Sequence, residues 1–531
     1  MSKVKKLEEM FSKGMLNRRD FLIRASALGI TTALSPAFFS ISADAAMPKK
    51  GGRLRQGIAG SSMTDSLDTA TLPNAITQNI NFQIRNCLVE IDHKGTPTPE
   101  LAESWEATSD ASKWTFKIRK GIEFHNGKSL SAEDVIYSIN HHRGEKSKSA
   151  VKKIVASIKD IKSEGKYSVV FELNTGNADF PFILSDVHLS IVPAGTTGSE
   201  WEKGIGTGAY MLVKHDPGVL ALTKKNPNYW KEGRGHFDEI ETIAIADISA
   251  RTNALKTGQV DIINNCELKT VHLLKRSPGI QIINTTGFKH FTMPMLTDLA
   301  PYDNNDARLA LKYAIDREQM LKMILRGYGS IGNDQPIGAT YRFNATKSEL
   351  AQRMYDPDKA RFHLKKAGLE NHVFNLHAAD VVFSGAVDAA VLYQEQAAKA
   401  GININVVREP NDGYWSNVWN KKSFCMAFWA GRPTEDMMLS AAYSAGAPWN
   451  DSNWKNKRFN VLLKDARIEL DTAKRREMYV EMQQLIRDKG GVIVPMFADH
   501  VDAGSSKLKF NSPAGNMMFD GQRNTERWWF A

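Results

Sequence analysis

Trp114-Thr115-Phe116-Lys117-Ile118-Arg119-Lys120-Gly121-Ile122-Glu123-Phe124-His125-Asn126-Gly127-Lys128 alternates apolar and polar side chains as far as Arg119, then turns at an Asn-Gly pair. Period-two alternation marks a strand with one buried face, the habit of an antiparallel sheet. Asn-Gly suits a tight turn, and Ser131-Ala132-Glu133-Asp134 next supplies a helix cap ahead of Val135, Ile136 and Ile139. Gly121 with Gly127-Lys128-Ser129 imitates a phosphate-binding loop, but five residues separate the glycines where that loop has four. A hairpin is the better reading. His141 and His142 are adjacent on the expected helix and point apart, which does not suit a shared metal; they are expected to face solvent.

Working outward, Gly51–Ile58 reads as a first strand, followed by a polar loop with Ser66-Leu67-Asp68. Asn79–Ile91 begins with helical spacing (Ile80, Ile84, Leu88) and ends as a short strand. Toward the C-terminus, Arg308–Leu325 reads as one amphipathic helix, and Ala378–Arg408 as strand, loop, helix and strand with Gly401 ending the helix. Phe424–Trp429 is an apolar run of strand length that stops at Gly431, Arg432 and Pro433, and Lys474–Lys489 is a late helix before Val492–Met496. The class is α/β, and 531 residues suggest about three domains.

Residues 1–45 read as a cleaved export signal. Lys3, Lys5, Lys6, Lys13, Arg18 and Arg19 precede a modestly apolar Ala25–Phe39 stretch, and Ala43-Asp44-Ala45 is a small-x-small cleavage site. Asn17-Arg18-Arg19-Asp20-Phe21-Leu22 resembles a twin-arginine motif, which implies the bacterial periplasm. Seven basic and four acidic residues leave with this segment, lowering the formal net charge from +10 to +7. Lysines and arginines are scattered among acids rather than interleaved with aromatics, which argues against nucleic-acid binding. Cys87, Cys266 and Cys425 are too far apart for a Cys-x-x-Cys site, and Cys425 is expected as a small buried apolar residue.

Pro99-Glu100-Leu101-Ala102-Glu103-Ser104-Trp105, the stretch Trp114–Lys128 and Ala132-Glu133-Asp134-Val135 together resemble the family 5 extracellular solute-binding proteins, the peptide, dipeptide, nickel and opine receptors of ABC importers. Gly206-Thr207-Gly208-Ala209-Tyr210, Asn226-Pro227-Asn228-Tyr229-Trp230, Ala254–Asp261, Arg308–Arg317 and Tyr355–Ala360 follow in order. The resemblance implies a two-lobed periplasmic clamp with an extra domain and a hinge of two strands, closed around its ligand. It implies residues 46–90, 206–286 and 502–531 as the core of lobe I, 91–205 as the extra domain packed on it, and 287–501 as lobe II. It further implies a ligand-carrying monomer that partners an inner-membrane ABC permease, without catalysis, cofactor or metal.

Aromatics are dense between residues 414 and 449, and Tyr414, Trp415 and Trp429 are the expected pocket lining, with Phe291 as a further candidate. Ser66 matches a family loop near the cleft. The segment matching Trp429–Arg432 carries, in peptide-binding members, an aspartate for the ligand's amino group; Arg432 stands there. The loop before the Ala386 helix carries an arginine for the ligand carboxylate in some dipeptide receptors, and Asp380 matches it. These exchanged charges imply a ligand with an anionic end and a cationic or polar end. Arg432 could instead pair with Glu435 or Asp436, or with Asp380. Competing functions are a receptor of this family for a non-peptide solute (an opine, a sugar conjugate or a metal chelate), a secreted hydrolase, and a chaperone-like or signalling clamp.

Overall fold

Two long antiparallel strands, Ile280–Pro294 and Val492–Ser505, run side by side through a nine-stranded sheet. The computed structural model describes residues 48–531, so the expected export segment lies outside the described residues. On one flank, Val492–Ser505 pairs with Ile262–Ile263, and the sheet continues through Arg53–Ile58, Glu239–Ala244, Leu220–Lys225 and Tyr210–Asp216. Arg53–Ile58 lies parallel to Ile262–Ile263 and Glu239–Ala244; the outer pairs are antiparallel. On the other flank Ala427–Trp429 pairs with His290–Thr292, and Gly329–Ile331 pairs with Met496–Ala498. The two long strands therefore cross between two differently built regions.

Between Thr286, opposite Asp499, and His290, opposite Phe497, the register slips, so that Gly287, Phe288 and Lys289 share one facing residue. Such a bulge twists the strand and re-aims its side chains. Gly287 suits the place because a β-carbon there would stand 2.7 Å from the His500 imidazole.

Residues 102–173 hold a separate antiparallel sheet, ordered Ala102–Ala107, Lys113–Ile118, Ser168–Leu173, Ile158–Ser163. The Trp114–Ile118 alternation becomes its buried face: Trp114, Phe116 and Ile118 pack with Phe171 and Phe180. Ser131 and Asp134 form the capping box of helix Ala132–Asn140. Val373–Ala378, helix Ala386–Ala398 and Asn403–Arg408 make the expected crossover, with the two strands parallel and the first strand ending, rather than starting, at Ala378. Within the run Phe424–Trp429, Ala427–Trp429 joins the ladder, while Phe424 and Cys425 make isolated bridges to Met295 and His377. All three cysteines are free and buried.

Two expectations are corrected. Arg308–Leu325 is not one helix but two, Asn305–Tyr313 and Arg317–Ile324. Asp316 accepts a hydrogen bond from the Gln319 N–H and starts the second, the use an aspartate finds at a helix N-terminus. The histidines do not both face solvent: the helix stops at Asn140, and its exit turn buries His142 against Ser149 (Nδ1 to Oγ 2.7 Å), while His141 is half-buried beside Asp68 (2.7 Å).

Among the described residues no helix is long and apolar enough to cross a membrane.

Candidate ligand-binding site

The bulge at Gly287–Lys289 and the end of Ala427–Trp429 meet at one place. There a β-carbon on Gly431 would stand only 2.2 Å from that of Phe288, and Gly431 has φ +87°, so backbone crosses side chain where glycine alone fits. Phe288, Pro433 and Met437 line one wall of a cavity of about 160 Å³. Phe182, Ile183, Asp186 and His188 line another, and Asn516 and Met517 a third. Its walls are mostly apolar, and its volume is close to that of a cavity able to take a benzene-sized group.

Arg432 is half-buried. Its guanidinium stands over Trp429 (5.6 Å to the ring centroid) and Trp449 (5.8 Å), and its Nη1 donates to its own neighbour, the Gly431 carbonyl (2.8 Å). No acid pairs with it among the described residues. Both nearby carboxylates are engaged elsewhere: Glu435 accepts from the Phe343 N–H (2.7 Å) and faces Arg342 (3.5 Å), and Asp436 pairs with Arg467 (3.0 Å). Asp380 takes the Val387 N–H at the start of helix Ala386–Ala398 (3.3 Å) and is exposed. Arg432 and Asp380 are thus not paired with each other. Burial pushes the Arg432 pKa below its usual value, the mark of a cation held without a counter-charge.

Trp429 is buried, and its Nε1–H and that of Trp419 both point to Asp451 (3.4 and 3.2 Å). Asp451 is buried with no cation beside it among the described residues, and burial raises its pKa to about 6. This carboxylate aligns the indole that carries Arg432. On the other face of the ladder, Phe291 lies opposite Phe428 and against Phe383 (centroids 3.8 Å apart). Trp415, 38 % exposed, sits edge-on to Phe428 (5.6 Å) and Tyr414 (5.6 Å). Tyr414 is fully buried, its hydroxyl donating to the Met426 (2.8 Å) and His377 (3.1 Å) carbonyls, so it supports the wall from behind. Ser66 lies away from this group, donating to Glu202 Oε1 (2.6 Å).

The structure therefore gathers Arg432 with Trp429, and Phe291 with Trp415 and Tyr414, on the two faces of one ladder end; Ser66 and Asp380 belong to other loops. Sequence reasoning missed Lys289, Asp451 and the Phe182–His188 wall. Lys289 was visible as a charge between Phe288 and Phe291, whereas Asp451 carried no signal, since nothing local brings it to two indoles. The buried trio Glu90, Glu100 and Glu526 resembles a metal site, but the Lys231 ammonium occupies its centre (2.5, 2.8 and 3.0 Å), with Arg523 bonded to Glu100 (2.6 Å).

Residues 96–451 match the family described as bacterial extracellular solute-binding proteins, family 5. Di/tripeptide-binding protein 1 of Pseudomonas aeruginosa is 26 % identical over 442 residues, 76 % of this chain and 81 % of that protein. Heme-binding protein A of Haemophilus influenzae is 25 % identical over 446 residues, 77 % and 80 % of the two chains. The solved structure of HbpA2 from Haemophilus parasuis superposes with a TM-score of 0.80 at 21 % identity, covering 88 % of this chain and 99 % of that one. The mixed α/β architecture is thus that of the two-lobed periplasmic binding proteins, and the chain belongs to family 5 of the bacterial extracellular solute-binding proteins.

Proposed function

We propose that this receptor captures a small peptide or an amino-acid-derived compound in the periplasm and delivers it, chemically unchanged, to the permease of an ABC importer. The observation that carries the reading is Arg432: a guanidinium stacked on two indoles, without an acid partner among the described residues, next to an apolar cavity. A guanidinium so placed forms paired hydrogen bonds with a carboxylate, and the cavity takes a side chain. Trp415, Trp429 and Phe291 are the aromatic lining, with Tyr414 behind them; Asp380 receives a cationic or polar end, and Ser66 borders the cleft from lobe I. The di/tripeptide-binding relative supports the ligand class. A non-peptide solute is the second reading, favoured by the charge at Arg432 being opposite to that of peptide-binding members.

The lobes follow residues 46–90, 206–286 and 502–531 for lobe I, 91–205 for the extra domain and 287–501 for lobe II. Support comes from an apolar cluster whose buried members lie within residues 88–191, with Ile205 and Trp230 packed on it, and two whose buried members lie within 288–498, with Leu268 packed on one. Closure brings both lobes onto the ligand and is favoured by it, since the open state has only one set of contacts. Residues 1–45 direct export by the twin-arginine route and are removed, and the mature receptor works as a monomer without cofactor.

Incubation with a defined dipeptide mixture followed by native mass spectrometry tests the reading. One intact peptide per chain is expected; free amino acids would identify a hydrolase, and no bound peptide would shift the ligand to the non-peptide class.

A further inference from the structure

The cavity beside Phe288 is apolar along most of its walls but is lined by three side chains with acceptor atoms to spare. His188 donates to Asp186 Oδ1 from its backbone N–H (3.0 Å) and from Nδ1 (2.7 Å), at the start of the turn Val187–Leu189. In the neutral ring this leaves Nε2 as an acceptor, and Asp186 Oδ2 takes no hydrogen bond among the described residues. Both residues line the cavity, with side chains only 26 % and 12 % exposed for Asp186 and His188. Asn516, on another wall, has its side-chain oxygen buried without a hydrogen-bond partner. That side chain lodges against Gly521, at φ +67°, where a β-carbon would stand 2.6 Å from the oxygen.

Nothing in the walls supplies a matching cation. No lysine or arginine is among the described wall residues, and Arg342, which stacks on Phe182 (4.2 Å), is engaged by Asp179 (2.7 Å) and Glu435 (3.5 Å). Gln78 and Ser185, the other polar side chains of the walls, spend their donors on the Leu72 (3.1 Å) and Phe182 (2.8 Å) carbonyls. A carboxylate and further acceptors withdrawn from water without donors are costly, and a group that brings donors to them binds with that cost removed. A hydroxyl carries one donor, whereas an ammonium carries three together with the charge that complements Asp186. Phe182, Ile183 and Phe288 offer apolar surface for the stem behind such a head.

We infer that this cavity selects a basic side chain, an ammonium on an aliphatic stem, with Asp186, His188 and Asn516 as its specificity-determining residues. This rests on the reading of the cavity as the place of a ligand side chain and makes no use of Arg432. The competing account is that Asp186 only caps its own turn and an ordered water satisfies Asn516, so that any apolar side chain of the right size would fit.

Calorimetry with Ala-Lys and Ala-norleucine, and with the same pair in reverse order, separates these, because norleucine keeps the stem and lacks the ammonium. In at least one order the wild-type protein is expected to prefer the lysine peptide by about tenfold or more, the worth of a hydrogen bond to a charged group. Asp186→Asn keeps an oxygen for the turn and removes the charge, and should bring the preference to within about twofold. Asn516→Leu, outside that turn, should lower it at least about threefold. Equal or tighter binding of norleucine peptides in both orders, or a lysine preference that survives both substitutions, would overturn the inference and leave the receptor reading standing. If the wild-type protein binds none of these dipeptides, the peptide reading falls and this inference with it.

Discussion

Arg432 owes its readiness to its neighbours rather than to its own position. Glu435 and Asp436, three and four residues on, are the acids that local spacing offers it, yet Arg342 and Arg467 take them. Trp429 and Trp449 hold the guanidinium without neutralising it. Arg432→Ala should therefore cost a carboxylate-bearing dipeptide about 1.5–3 kcal/mol of binding, the worth of a hydrogen bond to a charged group, while a C-terminally amidated analogue changes little. Calorimetry of both ligands reads this, and an unchanged affinity for the free carboxylate would remove Arg432 from the site. The residue itself was legible, since a charge closing an apolar strand next to glycine and proline stands out. That its near acids were already engaged was not, because Arg342 and Arg467 come from other parts of the chain.

Among the elements, the Ile280–Pro294 strand and its partner Ala427–Trp429 carry the site, and Gly431 sets how they end. Its φ of +87° and the 2.2 Å approach to Phe288 leave no room for a methyl group. Gly431→Ala should lower stability by about 2–4 kcal/mol, from left-handed strain and overpacking together. It should also displace Arg432, so thermal denaturation and ligand affinity fall in the same variant. Strands and helices with strong periodicity were legible: Trp114–Ile118 forms where the pattern put it, and the crossover expected over Ala378–Arg408 forms with its helix and second strand in place but its first strand earlier, at Val373–Ala378. The break at Ala314–Asp316 and the bulge at Gly287–Lys289 were not. The first comes from a capping aspartate inside an apolar pattern, the second from a register slip against a strand more than 200 residues away.

For the molecule as a whole, the contact between residues 178–182 and the region around the cavity is the one to test. Asp179, buried, accepts both arms of Arg475 (3.0 and 2.9 Å) and one of Arg342 (2.7 Å), while the Ala178 N–H donates to the Arg467 carbonyl (2.7 Å). Asp179→Ala leaves buried Arg475 without an acid and Arg342 with Glu435 alone, and should cost about 3–5 kcal/mol near neutral pH. The two arginines hold the Asp179 carboxyl below its usual value despite the desolvation that opposes them. A lowered folded-state pKa gives stability that is complete above the ordinary carboxylate value of ~4 and is lost as pH falls through the folded value. Denaturant titrations of wild type and variant should therefore converge on acidification. A gap that widened instead would mean that Asp179 is not ionised in the folded protein.

Local spacing by itself determined the α/β class, the half-buried strand at Trp114, the capped helix after it, the helix and second strand of the crossover at Ala386–Arg408 and the prominence of Arg432, because helix and strand periods and cap residues act over a few positions. Tertiary structure alone decided which charges remain free. Lys289 and Arg432 lack acid partners among the described residues, while Glu435 and Asp179 are committed to Arg342, and Asp451 is left to two indoles. Pairing of charges depends on contacts between segments tens to hundreds of residues apart, and a buried charge is costly enough that those contacts, rather than residue type, settle what each side chain is available to bind.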